Sequence, residues 1–157
     1  MSSRKARKTL VLTGASRGIG HATVKRFSDE QWRIITCSRE EVPPECRRDP
    51  NWTHHIQADL ANPGDVQDFV QAVNNILDGG PLDALVNNAA VSPKTPFKER
   101  LGCLNGALDD WRLVFELNFF APLSLARGLA VPRWVSGSTP SHPVKSRPPW
   151  WEKNTRR

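Results

Sequence analysis

Apolar residues follow two spacings along the first 130 positions, and the two spacings alternate. Short continuous apolar runs are typical of strands buried on both faces, and they predict strands at 9–13, 32–37, 54–58 and 82–86. Apolar residues three and four positions apart predict helices at 18–28, from 63 to about 77, and at 107–130. Loops rich in proline or glycine are expected at 40–51 and 91–106. This order predicts an α/β domain with a parallel sheet and right-handed crossovers.

The turn after the first strand contains three glycines, Gly14, Gly18 and Gly20. They stand between an apolar strand and an amphipathic helix, which is the order of strand, phosphate loop and helix start in a Rossmann unit. Backbone N–H groups and the positive end of a helix bind a pyrophosphate, and glycines leave room for its approach. The sequence therefore predicts a Rossmann-like parallel sheet with flanking helices, truncated after the fourth strand and the long helix that follows it. The alternative is an ordinary glycine-rich turn.

Basic residues concentrate at the two ends of the chain. The formal charge is +6 overall, with +4 in residues 1–8 and +5 in residues 131–157, so residues 9–130 are mildly acidic. The last 27 residues contain five prolines and three tryptophans without periodicity. We therefore expect a basic extension at 1–8, a dinucleotide-binding domain at 9–130 and an irregular or disordered tail at 131–157. A nucleic-acid binder with a basic tail is an alternative class, but charge confined to flexible ends argues against nucleic acid.

Neither a membrane span nor a metal site is expected from the sequence. No run is long and apolar enough for a signal sequence or a membrane helix, which predicts a cytoplasmic protein. The three cysteines fit no metal-ligand spacing and suit a reducing compartment. His54 and His55 are neighbours in a predicted strand, so their side chains point to opposite faces and cannot share one ion. His21 follows the glycine loop and is expected at the surface, or beside a cofactor.

The glycine spacing over positions 13–20 is Thr-Gly-x-x-x-Gly-x-Gly, which resembles the cofactor signature of the short-chain dehydrogenases/reductases. Three further motifs follow in the family's order: Asp59-Leu60, Asn-Asn-Ala-Ala at 87–90, and Asn118 in the long helix. The second of these departs from the family, which has glycine where this chain has Ala90. Residues 20–27 and 91–94 are in addition similar to a rhizobial nitrogen-fixation branch of the family. The resemblance covers residues 9–130.

The resemblance implies an oxidoreductase that transfers hydride between NADP(H) and a small-molecule carbonyl or alcohol. It implies that Asn118 is the one remaining member of the catalytic tetrad. The cofactor-binding residues that it implies, together with those argued from the loop and the second strand, are Gly14, Ser16, Arg17, Gly18, Ile19, Gly20, Ser38, Arg39, Asp59, Leu60, Asn87 and Ala89.

The end of the second strand predicts which dinucleotide is bound. NAD-binding domains place an acid there to accept a hydrogen bond from the ribose 2′-hydroxyl, and here no acid occurs before Glu40. A 2′-phosphate instead requires guanidinium and hydroxyl donors, which Arg39 and Ser38 supply, with Arg17 across the loop. The alternative is that both arginines are solvated surface charges. The pattern favours NADP(H).

The catalytic residues that should follow the long helix are missing from this chain. Carbonyl reduction in the family uses a tyrosine as proton donor, assisted by a lysine and a serine, and these 157 residues contain no tyrosine. We expect no activity from the chain as written. The abrupt change of character at position 131 suggests a truncated or frameshifted product. The competing class is a non-catalytic nucleotide-binding or partner-binding protein.

The predicted long helix at 107–130 has apolar residues that a complete family member would bury. They are Trp111, Val114, Phe115, Leu123 and Leu125. With no further strand predicted, the fourth strand becomes an edge of the sheet with unpaired backbone groups. We therefore expect homo-oligomers through the long helix, or poor solubility.

Overall fold

The computed structural model describes residues 7–94 and 98–130. The expected tail at 131–157 and the first six residues of the basic extension lie outside this part. The elements, in chain order, are β1 (Thr9–Thr13), α1 (Gly18–Asp29), β2 (Arg33–Ser38), a 3₁₀ helix (Pro44–Cys46), β3 (Trp52–Gln57), α2 (Pro63–Leu77), β4 (Ala84–Val86), α3 (Leu108–Phe115), a π-helical turn (Glu116–Phe120) and α4 (Ala121–Ala130).

The four strands form one parallel sheet in the order β3-β2-β1-β4. β1 is central and all five of its residues are buried, which explains its unbroken apolar sequence. The chain builds the sheet to one side of β1 with β2 and β3, and then crosses to the other side with β4. This reversal leaves a crevice beyond the carboxyl ends of β1 and β4, where open α/β sheets bind ligands. The fold confirms the predicted Rossmann-like parallel sheet.

The alternating residues of β1 divide the core into two halves. Val11 packs on the face that α2 and α4 cover, in a cluster with Phe69 of α2 and Leu125 of α4. Leu10 and Leu12 pack on the opposite face, in a cluster with Val24 of α1. Burial of this apolar surface on both faces is the main stabilising contribution to the sheet.

The bounds of several elements differ from the expected ones. β3 begins two residues earlier than expected, because Ile34 already pairs with Trp52, and the register shifts after that pair. β4 has three residues rather than five. The preceding Asp83 is still tied to β1: its N–H donates to the Thr9 carbonyl at 3.0 Å and its carboxylate accepts from the Thr9 N–H at 2.7 Å. The loop at 40–51 contains the 3₁₀ helix.

The predicted helix at 107–130 is one helical course with an interruption. The turn Glu116–Phe120 is π-helical and joins α3 to α4. Single π turns are rare, and they are frequent at functional sites. The apolar residues that were expected to pack differ in burial. Leu125 is fully buried, whereas Phe115 and Leu123 are exposed.

The last two residues of the expected basic extension contact the domain. The Arg7 guanidinium donates to the Gln31 carbonyl at 2.8 Å and contacts the Asn51 side chain. The Lys8 ammonium lies 5.3 Å from the centre of the Trp32 ring. Residues 7 and 8 therefore contact the segment that leads into β2.

Candidate functional site

The glycine loop lies at the carboxyl end of β1 and differs in packing at each glycine. A Cβ atom on Gly20 would stand 2.0 Å from the Gly14 carbonyl oxygen, and one on Gly14 would stand 2.9 Å from the Ala89 Cα. These two glycines are required by the close packing of the protein itself. Gly18 has φ +57° and no atom within 4 Å of such a Cβ, so its conformation requires glycine and the space above it is open.

The start of α1 opens towards the same space. Arg17 precedes the helix with extended backbone angles, and no side chain in the described residues caps the first turn. The first N–H groups of a helix lack intrahelical partners and carry partial positive charge. Ile19, in this first turn, is largely exposed. The local structure therefore leaves an anion-binding helix start at the loop.

Asn88 and Thr13 join the ends of β4 and β1. The Thr13 hydroxyl oxygen accepts from the backbone N–H groups of Asn88 and Ala89, both at 3.0 Å. The Asn88 amide donates to the carbonyls of Thr13 at 3.1 Å and Gly14 at 3.0 Å. Asn88 was not among the expected site residues. The expected Asn87 is exposed and does not line the crevice.

One cleft of about 550 Å³ lies over the glycine loop, and it brings together residues from the ends of all four strands. Eleven of the twelve expected cofactor-binding residues line it, namely Gly14, Ser16, Arg17, Gly18, Ile19, Gly20, Ser38, Arg39, Asp59, Leu60 and Ala89. Residues that the sequence argument did not include also line it, among them Glu40, Asn88, Leu113 and Leu117. Leu113 of α3 and Leu117 of the π turn were not among the apolar residues expected to pack, and the sequence pattern did not indicate that they face a cleft.

A hydrogen-bonded chain fixes the β2 side of the cleft. The Trp52 indole donates to the Thr36 hydroxyl oxygen at 2.6 Å, and the Thr36 hydroxyl lies 2.7 Å from Nδ1 of His55. Nε2 of His55 lies 2.8 Å from the Glu40 carbonyl. Since a carbonyl only accepts, Nε2 donates to it, and in the neutral ring Nδ1 then accepts from the Thr36 hydroxyl. His55 therefore holds the backbone that follows Ser38.

The hydroxyl of Ser38 is already used within the protein. It donates to the Glu40 carbonyl at 2.6 Å, and the residue is buried. Arg17 and Arg39 are both exposed, and neither forms an ion pair with another described residue. Of the three groups expected to bind a 2′-phosphate, the two guanidinium groups are available and the hydroxyl is not.

Asp59 and Leu60, which follow β3, lie at the surface and in the core respectively. Asp59 is exposed, and its carboxylate accepts from the Ala61 N–H at 3.1 Å. Its own N–H donates to the Asp65 carboxylate at 2.8 Å. Leu60 is buried against α2. The pair forms the floor of the cleft beside β3.

Asn118 lies in the π turn and binds the segment that follows β4. Its amide donates to the Val91 carbonyl at 2.8 Å, and its carbonyl accepts from the Val91 N–H at 2.9 Å. Both polar groups of the side chain are thus used to hold the backbone at the mouth of the cleft. The side chain itself does not line the cleft, whereas Leu117 and Val91 do.

Comparison with known proteins agrees with this geometry. Residues 8–139 match the family model for short chain dehydrogenase. Protein FixR of Bradyrhizobium diazoefficiens is 48% identical over 123 residues, which cover 78% of this chain and 44% of FixR. This similarity confirms the resemblance to a rhizobial branch. A fatty acyl-CoA reductase of Mycobacterium tuberculosis is 31% identical over 131 residues, covering 78% of this chain and 42% of the reductase.

A solved structure has the same fold. It is a crystal structure of an oxidoreductase of the short chain dehydrogenase/reductase family from Brucella ovis, in complex with a partially ordered NAD, and it is 48% identical with a TM-score of 0.72. The match covers 80% of this chain and 57% of that one. The chain thus spans about half the length of the relatives it matches. None of the described helices has the length and apolar character that crossing a bilayer requires.

Proposed function

Because the chain belongs to the short chain dehydrogenase family, we propose that its cleft binds a nicotinamide dinucleotide, and NADP(H) in preference to NAD(H). The observation that carries this proposal is the open Gly18 turn at an uncapped helix start, with two free guanidinium groups lining the same cleft. The residues present fit the dinucleotide. The first turn of α1 would receive the pyrophosphate, and Asp59 and Leu60, which follow β3, would border the adenosine.

The preference for NADP(H) rests on Arg17 and Arg39. A 2′-phosphate carries negative charge, and a charge-assisted hydrogen bond contributes about 1.5–3 kcal/mol. Glu40 is the first acid after β2, and its backbone carbonyl is held by His55 and Ser38. The Brucella relative was solved with NAD, so discrimination between the two dinucleotides is the sharpest test of the proposal.

The dinucleotides can be compared by fluorescence titration of the 157-residue chain with NADPH and NADH. We expect NADPH to bind about ten to one hundred times more tightly. Arg39→Ala should weaken NADPH binding about tenfold and leave NADH binding within a factor of two. Arg48→Ala is the matched control, since it removes the same charge from an exposed arginine outside the cleft. Equal dissociation constants, or tighter binding of NADH, would contradict the preference.

For the reaction, we propose hydride transfer to or from a carbonyl or alcohol as the ancestral activity, and no turnover by this 157-residue chain. The dinucleotide supplies hydride when bound. The reduced oxygen also needs a proton donor, and the chain contains no tyrosine to provide a phenol. Asn118 binds backbone and offers no proton. The chain then acts as a non-catalytic nucleotide-binding protein.

Loss of NADPH absorbance in the presence of simple aldehydes and ketones tests this second part. We expect no consumption above the protein-free rate while binding is still seen by titration. Consumption that scales with protein concentration and falls in Arg39→Ala would overturn it, because such activity would belong to the cleft and not to a contaminant.

A further inference from the structure

Three potential metal-ligand side chains meet on the α1 side of the sheet, outside the nucleotide cleft. They are His21 of α1 and Glu45 and Cys46 of the 3₁₀ helix, and one ligand atom of each lies within 4.8 Å of the others. Nε2 of His21 lies 3.0 Å from Sγ of Cys46. Among the described residues no other group of three His, Cys, Asp or Glu side chains meets this condition.

The neighbouring structure holds these side chains in place. Cys46 is 8% exposed and belongs to the core cluster on the α1 face, together with Trp52. Its N–H donates to the Pro43 carbonyl at 2.8 Å, which closes the 3₁₀ turn. The His21 ring is half-buried and lies 6.3 Å from the Trp52 ring. Glu45 is exposed, and one of its carboxylate oxygens lies within 4.8 Å of the ligand atoms of the other two. A buried thiol and a half-buried imidazole thus lie beside an exposed carboxylate.

We propose that His21, Glu45 and Cys46 form a binding site for Zn²⁺ or a similar thiophilic divalent cation. Imidazole nitrogen, thiolate sulfur and carboxylate oxygen are the three ligand types that zinc takes, and three protein ligands leave a fourth position for water. The nitrogen and sulfur of a tetrahedral zinc site stand about 3.6 Å apart, from bond lengths of about 2.05 and 2.3 Å. The observed separation of 3.0 Å is shorter by about 0.6 Å, so the two atoms must move apart by that amount to admit the ion.

Two carboxylates near the Cys46 thiol favour a bound cation, and one lysine opposes it. Burial raises the pKa of Cys46, the carboxylates of Glu45 and Asp49 raise it further, and Lys25 acts in the opposite direction. A thiol loses its proton when it binds a metal ion. Zinc binding breaks the S–H bond, forms the S–Zn bond and releases one proton to solvent, with no change of oxidation state.

The sequence alone could not indicate this site. Metal motifs are recognised by short spacings such as Cys-x-x-Cys, and here His21 and Glu45 lie 24 positions apart. The two are brought together because α1 and the segment between β2 and β3 pack on the same face of the sheet. His21 adjoins Gly20 of the nucleotide cleft, but none of the three ligands lines that cleft. The proposal is therefore independent of nucleotide binding.

Two measurements on the 157-residue chain test the proposal, in reducing buffer and without nucleotide. Calorimetric titration with Zn²⁺ should give one site, with one proton released per ion when the titration is repeated in buffers of different ionisation enthalpy. Titration with Co²⁺ should produce the absorption band of thiolate-to-cobalt charge transfer. Cys46→Ser should abolish that band and weaken zinc binding at least about a hundredfold.

Two further variants guard against misfolding and against surface binding. Glu45→Gln changes an exposed residue and should keep the melting temperature of the metal-free protein while weakening zinc binding about tenfold or more. Cys103→Ser removes an exposed cysteine outside the cluster and should bind zinc as the parent does. The proposal is overturned if the parent shows no cobalt–thiolate band, or if the band persists in Cys46→Ser and is lost in Cys103→Ser.

Discussion

Cys37 illustrates how a single side chain connects the core to the candidate site. It is fully buried at the end of β2, and its carbonyl accepts from the Gly14 N–H at 2.8 Å. Burial raises the pKa of its thiol from 9.0 to about 12. The residue therefore remains a neutral apolar group beneath the glycine loop, and we expect no nucleophilic or redox chemistry from it near neutral pH.

This buried thiol predicts a loss of stability at high pH. In the unfolded chain the thiol ionises near pH 9, whereas in the folded protein it stays protonated to about pH 12. The contribution of Cys37 is therefore complete below pH 9 and decreases as pH rises towards 12. The loss of this contribution should make the free energy of unfolding of the parent about 1–2 kcal/mol lower at pH 10 than below pH 9. Urea unfolding between pH 8 and 10.5 should show a shallower decrease for Cys37→Ala than for the parent.

The control for this measurement is Cys103→Ala, which changes an exposed thiol. In Cys103→Ala the free energy of unfolding should decrease with pH as steeply as in the parent. Cys37→Ala also leaves a small cavity, which is a cost that does not depend on pH, so the variants are compared by how their stability changes with pH. The absence of tyrosine from the chain removes the phenols that ordinarily titrate in the same range. Equal slopes for the parent and Cys37→Ala would contradict the burial argument.

At the scale of single residues, the sequence predicted the glycine loop but not Asn88, the residue that holds it in position. The three glycines stand at fixed offsets after an apolar strand, and that pattern has few structural solutions. Asn87 and Asn88 are adjacent and alike in type. Only the pairing of β1 with β4 determines that Asn88 faces Thr13 and Gly14 while Asn87 faces outwards. Choosing between them required the sheet register.

Between elements, Asn88 joins β4 to the glycine loop. Asn88→Ala removes the two donors to the Thr13 and Gly14 carbonyls and leaves both partly buried. We expect a loss of about 1–3 kcal/mol in the free energy of unfolding and weaker NADPH binding, because the loop is no longer held against β4. Urea unfolding and fluorescence titration measure the two effects.

Asn87→Ala is the matched control for this second variant. The exposed neighbour has the same side chain, and its replacement should change stability by no more than about 0.5 kcal/mol. If Asn87→Ala lowered stability as much as Asn88→Ala does, the hydrogen bonds from Asn88 would not be what secures the loop.

The π turn shows the limit of prediction at the scale of elements. Apolar spacing predicted one helix over 107–130, and the chain does follow one helical course. A π turn inserts one residue into a turn, and neighbouring apolar residues such as Phe119 and Phe120 fit either spacing equally well. From this turn the Asn118 side chain binds the Val91 backbone, a contact between elements that helical spacing does not reveal.

Across the whole molecule, the side of the domain near α3 and α4 carries unusual apolar exposure. Large apolar side chains there remain between 38% and 65% exposed, and they are Leu108, Leu113, Phe115, Phe119, Phe120 and Leu123. In the described part of the chain β4 pairs only with β1, so its other edge is open as well. Where exposed apolar side chains adjoin one another, they mark an interaction site or an aggregation liability.

We expect the 157-residue chain to self-associate through this surface. Phe119→Glu places a charge on it and should shift the protein towards monomer in sedimentation velocity runs over a range of concentrations. Leu104→Glu is the matched control, because Leu104 is 97% exposed in the loop before α3. A parent that stays monomeric at high concentration, or an equal shift by both variants, would show that the surface does not mediate association.

The strand order also determines how far apart in the chain the pairing residues of the sheet lie. The contact of Arg7 with the Gln31 carbonyl beside β2 closes 24 positions, whereas that of Thr9 with Asp83 beside β4 closes 74. The longer loop costs about 1 kcal/mol more in closure entropy. The pairing of β1 with β2 therefore has the smaller entropic cost, and the glycine loop gains its Asn88 support only once β4 has joined the sheet. The support of the glycine loop thus depends on a contact between residues that lie 74 positions apart.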